Sequence, residues 1–397
     1  MANVSSSNGL EKRPKLRFPG FDEPWSETPL SACFAKNITK NTEGSVSNVI
    51  CNSAKMGLIP QHDYFDKDIA NRDNTNGYYI IEHNDFVYNP RKSSDAPYGP
   101  ISRYEYPESG IVSPLYLCFR AKGNVNTDFF EWYFRSSSWH RYIYMTGDSG
   151  ARHDRVSIKD TDFFAMPIRY PSPTEQEKIA SFLAVIEKRI NSQQLLVDNL
   201  KKYKRGLLNH VFSSKRHYKN DWTRKKIGEF CSIIMGQSPD SNSYNSEGIG
   251  VPLVQGNADI TDGVTTPRRY TSQPTKMCKE GSILLSVRAP VGTVSIADRE
   301  VCLGRGVCAI NSEDNAFVRQ LFLYLEPSWR TIEQGGTFTA ISKDDIKNVE
   351  VIIPDNANKQ KEIGEYFGLL DLLVSQEEKI LQSSLSIKLA LMQQLFI

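Results

Sequence analysis

Residues 176–190 are QEKIASFLAVIEKRI, and residues 360–374 are QKEIGEYFGLLDLLV. The two stretches begin 184 positions apart, and at this offset residues 176–212 align with residues 360–396 without a gap. Apolar residues recur in both at alternating steps of four and three, over about five heptads, which is the pattern of a coiled coil. The sequence therefore predicts two long helices, each with a heptad seam.

The two predicted seams contain mostly aliphatic residues. Their members are Ile179, Leu183, Ile186, Ile190, Val197, Leu200, Leu207 and Val211 in the first helix, and Ile363, Phe367, Leu370, Val374, Leu381, Leu391 and Leu395 in the second. Polar residues interrupt both seams at the same two places, Gln193 and Lys204 in the first and Glu377 and Lys388 in the second. These interruptions either set the register, as buried polar residues do in coiled coils, or form solvent-facing layers.

Each long helix follows a globular part, and the two globular parts share further matches. Trp25 corresponds to Trp222, and Ala-Pro-Tyr-Gly at 96–99 corresponds to Ala-Pro-Val-Gly at 289–292. Segments rich in β-branched and aromatic residues predict strands within 77–89, 110–120, 281–298 and 349–353, whereas 128–145 and 315–332 are predicted to be helical. The fold class is therefore α+β, as two copies of one unit.

The predicted order along the chain is as follows: a polar tail (1–20), a first globular part (21–172), a first spacer helix (173–212), a linker (213–221), a second globular part (222–355) and a second spacer helix (356–397). We expect the second helix to bury its seam against the first in antiparallel orientation, which gives a dumb-bell with pseudo-two-fold symmetry. The alternative is that each helix packs on its own globular part. A helix of this length spans roughly 55 Å, or about 16 base pairs of B-DNA.

The charge of the chain is unevenly distributed. The formal net charge is +2, but residues 201–226 contain ten Lys or Arg and one acid, Asp221. Such density fits contact with a polyanion, and it fits equally well a favourable interaction with a helix C-terminus.

The cysteines and the hydropathy of the chain indicate its redox environment and its location. The seven cysteines form no C-x-x-C pair, and we expect reduced thiols, no metal site and a cytoplasmic location. The sequence has no apolar run of membrane-spanning length and begins with polar residues, so we expect neither a membrane segment nor a secretory signal.

Several motifs resemble those of a known family. They are LRFPGFDEPW (16–25), GQSPDSNSYN (236–245), GVPLVQGNADI (250–260), SVRAPVGTVSI (286–296) and GRGVCAI (304–310). With them, the whole chain resembles the specificity (S) subunit of a type I restriction–modification system. Residues 52–71, 84–91 and 96–101 are similar to another branch of the same family, and GQSP has no counterpart in the first half. The globular parts are thus expected to be target-recognition domains for different half-sites.

The resemblance implies a non-catalytic DNA-binding subunit with no cofactor of its own. Two methyltransferase (M) subunits would dock on the helix pair and methylate adenine N6 with S-adenosylmethionine. Two restriction (R) subunits would use ATP and Mg²⁺ to cut unmodified DNA, as in phage defence. The sequence contains no G-x-x-x-x-G-K-[ST] phosphate loop, and we name no catalytic residue. A nuclease with a fused recognition domain and a coiled-coil scaffold that joins two protein-binding heads remain as alternatives.

Candidate DNA-binding residues are polar side chains on predicted loops, because Arg, Lys, Asn and Gln contact base edges and basic groups contact phosphates. They are Asn89, Arg91, Lys92, Tyr98 and Arg103 in the first domain, Gln237, Ser238, Tyr244, Gln255, Asn257, Arg268, Arg269, Tyr270 and Arg288 in the second, and Lys215 and Arg216 in the basic segment. Arg269 and its neighbours are the preferred candidates. Alternatively, GQSP forms only a turn and Arg288 pairs with a core carboxylate.

Overall fold

A computed structural model describes residues 13–64, 75–148, 154–213, 221–261, 263–334 and 340–397. The chain divides into two compact units, Met1–Ser192 with Leu381–Ile397, and Gln193–Ile380. Each unit combines one globular part with a portion of both long helices. Each is therefore built from segments that lie far apart in the sequence.

Short strands and short helices precede the first long helix in unit 1. They are β1 (Ser26–Pro29), α1 (Leu30–Cys33), β2 (Phe34–Lys36), β3 (Ile50–Ser53), β4 (Gly57–Pro60), α2 (Gln61–Tyr64), β5 (Tyr79–Ile81), β6 (Phe86–Tyr88), β7 (Ile101–Arg103), β8 (Gly110–Val112), β9 (Leu117–Ala121), α3 (Thr127–Arg135), α4 (His140–Thr146), α5 (Asp160–Phe164) and β10 (Pro167–Tyr170). The first long helix is α6 (Pro173–Phe212), which begins in unit 1 and ends in unit 2. Four strands form a sheet in the order β2-β9-β6-β7, and β1 pairs antiparallel with β10 immediately before α6.

Aromatic side chains form the core of unit 1. The Phe34 ring, at the start of β2, lies 5.0–5.4 Å (centroid to centroid) from the rings of Phe86, Phe119 and Phe130 in edge-on contacts. These side chains are fully buried, so the sheet packs against α3 through rings that bury large apolar areas.

Unit 2 repeats this arrangement with added strands. Its elements are β11 (Trp222–Lys226), α7 (Ile227–Phe230), β12 (Ser232–Met235), β13 (Tyr244–Asn245), β14 (Val251–Val254), β15 (Ile260–Thr261), β16 (Val264–Thr265), β17 (Arg269–Thr271), β18 (Met277–Cys278), β19 (Ile283–Ser286), β20 (Val294–Ile296), β21 (Val301–Leu303), β22 (Val307–Asn311), α8 (Asn315–Gln334), α9 (Lys343–Lys347) and β23 (Glu350–Pro354). The second long helix, α10 (Ala357–Leu395), begins in unit 2 and ends in unit 1. One sheet has the order β12-β22-β19-β20-β16-β15 and a second has the order β13-β17-β14-β21-β18.

The internal duplication is visible in the topology. The order β12-β22-β19-β20 in unit 2 corresponds to β2-β9-β6-β7 in unit 1, and the pair β11-β23 corresponds to β1-β10. The mixed α and β composition and the strands predicted within 77–89, 110–120, 281–298 and 349–353 are confirmed. The first strand of the second sheet of unit 2, β13, follows the GQSP segment, which has no counterpart in the first half of the sequence.

The predicted helix at 128–145 is wrong as one helix, because α3 ends at Arg135 and α4 begins at His140. The Ser136 hydroxyl donates to the Tyr133 carbonyl at 2.6 Å, and the Trp139 indole N–H donates to the Phe134 carbonyl at 2.9 Å. Serine side chains compete in this way with the helical hydrogen bonds, so the chain turns and buries Trp139.

The two long helices pair in antiparallel orientation within unit 2. Gln193 of α6 contacts Glu377 of α10, and further along α6 Lys204 forms an ion pair with Asp371. Residue numbers therefore rise along one helix while they fall along the other. Arg319 of α8 also forms an ion pair with Asp371, with its Nη1 atom 2.5 Å from Asp371 Oδ2.

The helices also contact each other within unit 1. Glu187 forms an ion pair with Lys388, and Ile179 and Leu183 share the hydrophobic core with Leu395 and Phe396. The Phe396 ring lies 5.6 Å from Phe129 of α3. The alternative in which each helix packs only on its own globular part is wrong, because the end of α10 is part of the core of unit 1.

All predicted seam residues are buried or partly buried. Toward the end of each helix the buried positions move one residue onward, to Leu208 and Phe212 in α6 and to Met392 and Phe396, which lies just past the end of α10. An α-helix has 3.6 residues per turn and drifts against a strict heptad of period 3.5, which accounts for this shift. The heptad analysis missed these four residues.

Candidate nucleic-acid interface

A groove of about 750 Å³ on unit 2 brings the sequence motifs together. It is lined by Ser238 from GQSP, by Tyr244, by Gln255 and Asn257 from VQGN, by Arg268, by Arg288 from RAPVG, and by Arg305 from GRG. Motifs spread over some seventy positions of sequence thus meet at one surface. Six of the nine candidates predicted for this domain line the groove.

Glycines allow the loops around this groove to approach each other closely. A Cβ atom on Gly236 would lie 2.1 Å from the Gly304 carbonyl oxygen, and one on Gly306 would lie 2.3 Å from the Gln255 carbonyl oxygen. Neither position can hold a side chain without moving backbone. The glycines of GQSP and GRG therefore allow the close packing that brings Ser238 and Arg305 to the same groove.

The groove is electropositive. Its lining includes three arginines, 268, 288 and 305, and one acid, Asp259. Asp259 is buried and its carboxylate accepts hydrogen bonds from Arg268 Nε at 3.1 Å and from the Gln255 backbone N–H at 2.8 Å. Within the described ranges, no ion pair involves Arg288 or Arg305, and both are exposed. Arg288 therefore pairs with no described core carboxylate.

Three predicted candidates of the second domain lie outside the lining of the groove. The Gln237 backbone N–H donates to the Leu303 carbonyl at 2.8 Å, and Tyr270 pairs with Asn245 across the sheet. The Arg269 guanidinium lies 6.0 Å from the centroid of the Tyr244 ring, which itself lines the groove. Arg269 is thus a neighbour of the groove, and its role in DNA binding stays a prediction.

A groove of about 610 Å³ on unit 1 contains three of the candidates predicted there, Asn89, Arg91 and Lys92. Lys55 and Arg155 also line it, and the sequence analysis named neither. The Asn89 side chain is held in place because its Nδ2 donates to the Asn52 carbonyl at 3.1 Å. Lys55 lies within a motif quoted for the resemblance, whereas no local pattern distinguishes Arg155.

The other candidates of the first domain have internal partners. Tyr98 packs on His140 with ring centroids 5.0 Å apart, and it contributes to the hydrophobic core. The Arg103 side chain is only 13% exposed and forms ion pairs with Glu105, Asp128 and Glu131. These carboxylates compete with phosphate or guanine, so we leave Arg103 and Tyr98 out of the interface. Lys215 and Arg216 lie outside the described residues.

The Ala-Pro-x-Gly repeats have a structural role in both units. Gly99 and Gly292 have positive φ angles, +81° and +95°. A Cβ atom would meet the Asn89 carbonyl oxygen at 2.1 Å in the first case and Trp329 Cβ at 2.7 Å in the second. Both positions therefore require glycine.

No group of three or more His, Cys, Asp or Glu side chains in the described ranges could hold a metal ion. Of the helices described, none has both the length and the apolar character needed to cross a bilayer.

Residues 219–383 match the family model for the type I restriction modification DNA specificity domain. The chain is 30% identical over 291 residues to the putative type I restriction enzyme MjaX specificity subunit of Methanocaldococcus jannaschii, an alignment that covers 69% of this chain and 65% of that protein. It is 25% identical to the MjaIX specificity subunit of the same organism, over 43% of this chain and 42% of that protein. The chain thus spans less than two thirds of the length of these relatives.

Solved structures show the same fold. A chain from a structure that addresses complex assembly and conformational transition of the type I R-M system has a TM-score of 0.62 at 23% identity, covering 95% of this chain and 98% of that one. The type I restriction-modification S subunit from M. genitalium has a TM-score of 0.61 at 15% identity, covering 97% and 99%. Together with the family model for residues 219–383 and the M. jannaschii relatives, these likenesses show that the chain is similar in sequence and in fold to type I restriction–modification specificity subunits.

Proposed function

We propose that this protein is the DNA-binding specificity subunit of a type I restriction–modification complex and performs no chemistry itself. The observation that carries the proposal is the meeting of GQSP, VQGN, RAPVG and GRG at one groove with three arginines and one acid. Such a groove attracts a polyanion and presents the side chains that contact base edges. The family model that matches this unit describes a DNA specificity domain.

Each unit is proposed to bind one half of a bipartite site. The groove of unit 1 presents Lys55, Arg91, Lys92 and Arg155, whereas that of unit 2 presents three arginines, Gln255 and Asn257. Because the donor and acceptor groups differ, the two half-sites are expected to differ in sequence.

The helix pair is proposed to separate the two recognition domains as a dumb-bell with pseudo-two-fold symmetry, and so to set the gap between half-sites. The antiparallel contacts within each unit support this. Glu187 and Asp371 lie 184 residues apart, as do Lys204 and Lys388, so the ion pairs Glu187–Lys388 and Lys204–Asp371 occupy equivalent positions of the repeat.

Partners and cofactors follow from the same proposal. Two M subunits would dock on the outer faces of the helix pair with S-adenosylmethionine, and two R subunits with ATP and Mg²⁺ would complete the complex in the cytoplasm. Exposed apolar side chains on α10 support docking, since Leu369 is 66% exposed and Leu372 is 62% exposed. Large apolar side chains that cluster on a surface mark interaction sites.

Two assays test the proposed function. In a gel shift with random-sequence duplexes, alone and with an M subunit, the chain should retard DNA, and raising the salt concentration should weaken the complex steeply. A scaffold for protein partners would leave the DNA unshifted. Incubation with plasmid and Mg²⁺ should leave the plasmid intact, whereas cutting would identify a nuclease.

A further inference from the structure

We infer that Arg268 recognises one guanine of the half-site bound by unit 2, and that Asp259 is the residue that positions it. This inference rests on the proposed function and adds the base and the two residues. It assigns the central role to Arg268 in place of the neighbouring Arg269, which lies outside the groove lining.

The Arg268 side chain is held at its inner N–H, and no hydrogen bond from a described residue reaches its outer edge. Its Nε donates to Asp259 Oδ1 at 3.1 Å, while the side chain as a whole is 68% exposed to solvent in the groove. The carboxylate binds the inner N–H of the guanidinium. The outer edge of the planar group, with Nη1 and Nη2, remains available for a ligand.

Asp259 is anchored in the fold. Its side chain is 5% exposed, its Oδ2 accepts the Gln255 backbone N–H at 2.8 Å, and its own backbone N–H donates to the Gly256 carbonyl at 3.0 Å. The Asp259 carbonyl accepts the Thr266 N–H at 2.8 Å. The carboxylate therefore sits on a fixed loop, and the arginine that it holds loses less rotamer entropy when it binds a ligand.

The geometry of the free edge selects guanine. In the major groove guanine presents two acceptors, N7 and O6, whereas adenine presents one acceptor and one donor, thymine one acceptor and cytosine a donor. A fork of two N–H donors can be satisfied in full only by the guanine edge. An arginine fixed by a carboxylate therefore favours guanine over the other three bases.

Arg268 differs in this respect from the other arginines of the groove. Arg288 and Arg305 are exposed and have no ion pair within the described residues, so their full charge is available to phosphates. The charge of Arg268 is partly neutralised by Asp259, which weakens a phosphate contact but leaves a bidentate hydrogen bond to a base intact.

The test is a selection from a random-sequence duplex library with the full chain, followed by sequencing of the bound DNA. Arg268→Ala should reduce the preference for guanine at one position by roughly 5- to 150-fold and leave every other position unchanged. Asp259→Ala should reduce the same preference by a smaller factor. Arg299→Ala is the matched control, since Arg299 is exposed, bound to Asp298 at 2.7 Å and absent from the groove lining. It should change nothing.

Two results would overturn this inference without affecting the proposed function. In the first, Arg268→Ala keeps the preference for guanine. In the second, Arg268→Ala weakens binding to all sequences equally and lowers the salt dependence of binding, which is the signature of a phosphate contact. If the unmodified chain enriches no sequence, the proposed function fails and the inference fails with it. Thermal unfolding of each variant separates these outcomes from misfolding, and the exposed Arg268 side chain can be truncated even if Asp259→Ala does not fold.

Discussion

The Gln193 side chain of α6 donates one hydrogen bond to the Glu377 carboxylate of α10 at 2.6 Å and another to the Glu377 backbone carbonyl at 3.0 Å. The two residues occupy equivalent positions of the repeat, 184 residues apart, and both interrupt the apolar seam. Of the two explanations that the sequence left open for these interruptions, the contact favours the setting of register over a solvent-facing layer.

Gln193→Leu should destabilise the protein by about 1–2 kcal/mol, because it leaves the partly buried Glu377 without its donor. The double change Gln193→Leu with Glu377→Leu should recover most of that loss, since an apolar pair suits the seam. Urea unfolding of both single variants and the double variant gives the coupling free energy. A coupling free energy near zero would mean that the contact does not set the register.

The Asp371 carboxyl makes stability depend on pH. Burial alone would raise its pKa, but Arg319 and Lys204 hold that pKa below its ordinary value. A group with a lowered pKa in the folded state contributes stability above its unfolded pKa and loses that contribution as the pH falls through its folded pKa. The difference in the free energy of unfolding between the unmodified protein and Asp371→Asn should therefore shrink as the pH falls from about 5 to about 3.

Arg319→Met provides the control for this pH dependence. Without the guanidinium the pKa of Asp371 should rise toward its ordinary value, so the loss of stability on acidification should be smaller and should be complete at a higher pH. An unchanged profile in Arg319→Met would show that Arg319 does not set the pKa of Asp371.

Two glycines of the chain should respond oppositely to the same substitution. Gly292→Ala should destabilise by about 1–3 kcal/mol, because Gly292 has a φ of +95° and a Cβ would lie 2.7 Å from Trp329 Cβ. Gly206→Ala in α6 should stabilise by about 0.5–1 kcal/mol, since its Cβ would meet no atom within 4 Å and alanine favours a helix. Thermal unfolding measures both changes, and a destabilised Gly206→Ala would contradict the described environment of α6.

Docking of the M subunit should depend on the exposed apolar residues of α10. Leu369→Asp with Leu372→Asp should abolish co-purification with an M subunit and leave the melting temperature of the chain unchanged, because neither side chain is buried. Lys361→Asp, on an exposed position of the same helix, is the control and should leave co-purification intact. Retention of the M subunit by the double variant would place docking elsewhere.

The long helices could be predicted from the sequence because their heptad pattern lasts for about five heptads and occurs twice. The break at Ser136 and Trp139 could not, because it depends on a serine hydroxyl and on an indole that becomes buried only after folding. The one-residue shift to Phe212 and Phe396 follows from helix geometry and could have been anticipated.

The candidate site was predictable at the level of motifs and less so at the level of residues. Both Arg268 and Arg103 were predicted to lie on loops that contact DNA. In the structure Arg103 forms ion pairs with three carboxylates, two of them from α3, whereas Arg268 forms an ion pair with one and remains exposed. Such partners come from distant segments and leave no local pattern. Arg305 was missed although GRG was recognised, because its position at the groove depends on the close approach of Gly306 to Gln255, some fifty residues away in the sequence.

The central claim is that the paired helices set the distance between two recognition sites, and its most direct test is to shorten both helices. Removal of residues 192–198 and 376–382 takes one heptad from each and removes Gln193 and Glu377 together, which shortens the pair by roughly 10 Å, or about three base pairs. Sequencing of methylated adenines in DNA from cells that carry the complete system should then show both half-sites unchanged with a different gap. Unchanged spacing, or altered half-site sequences, would contradict the account.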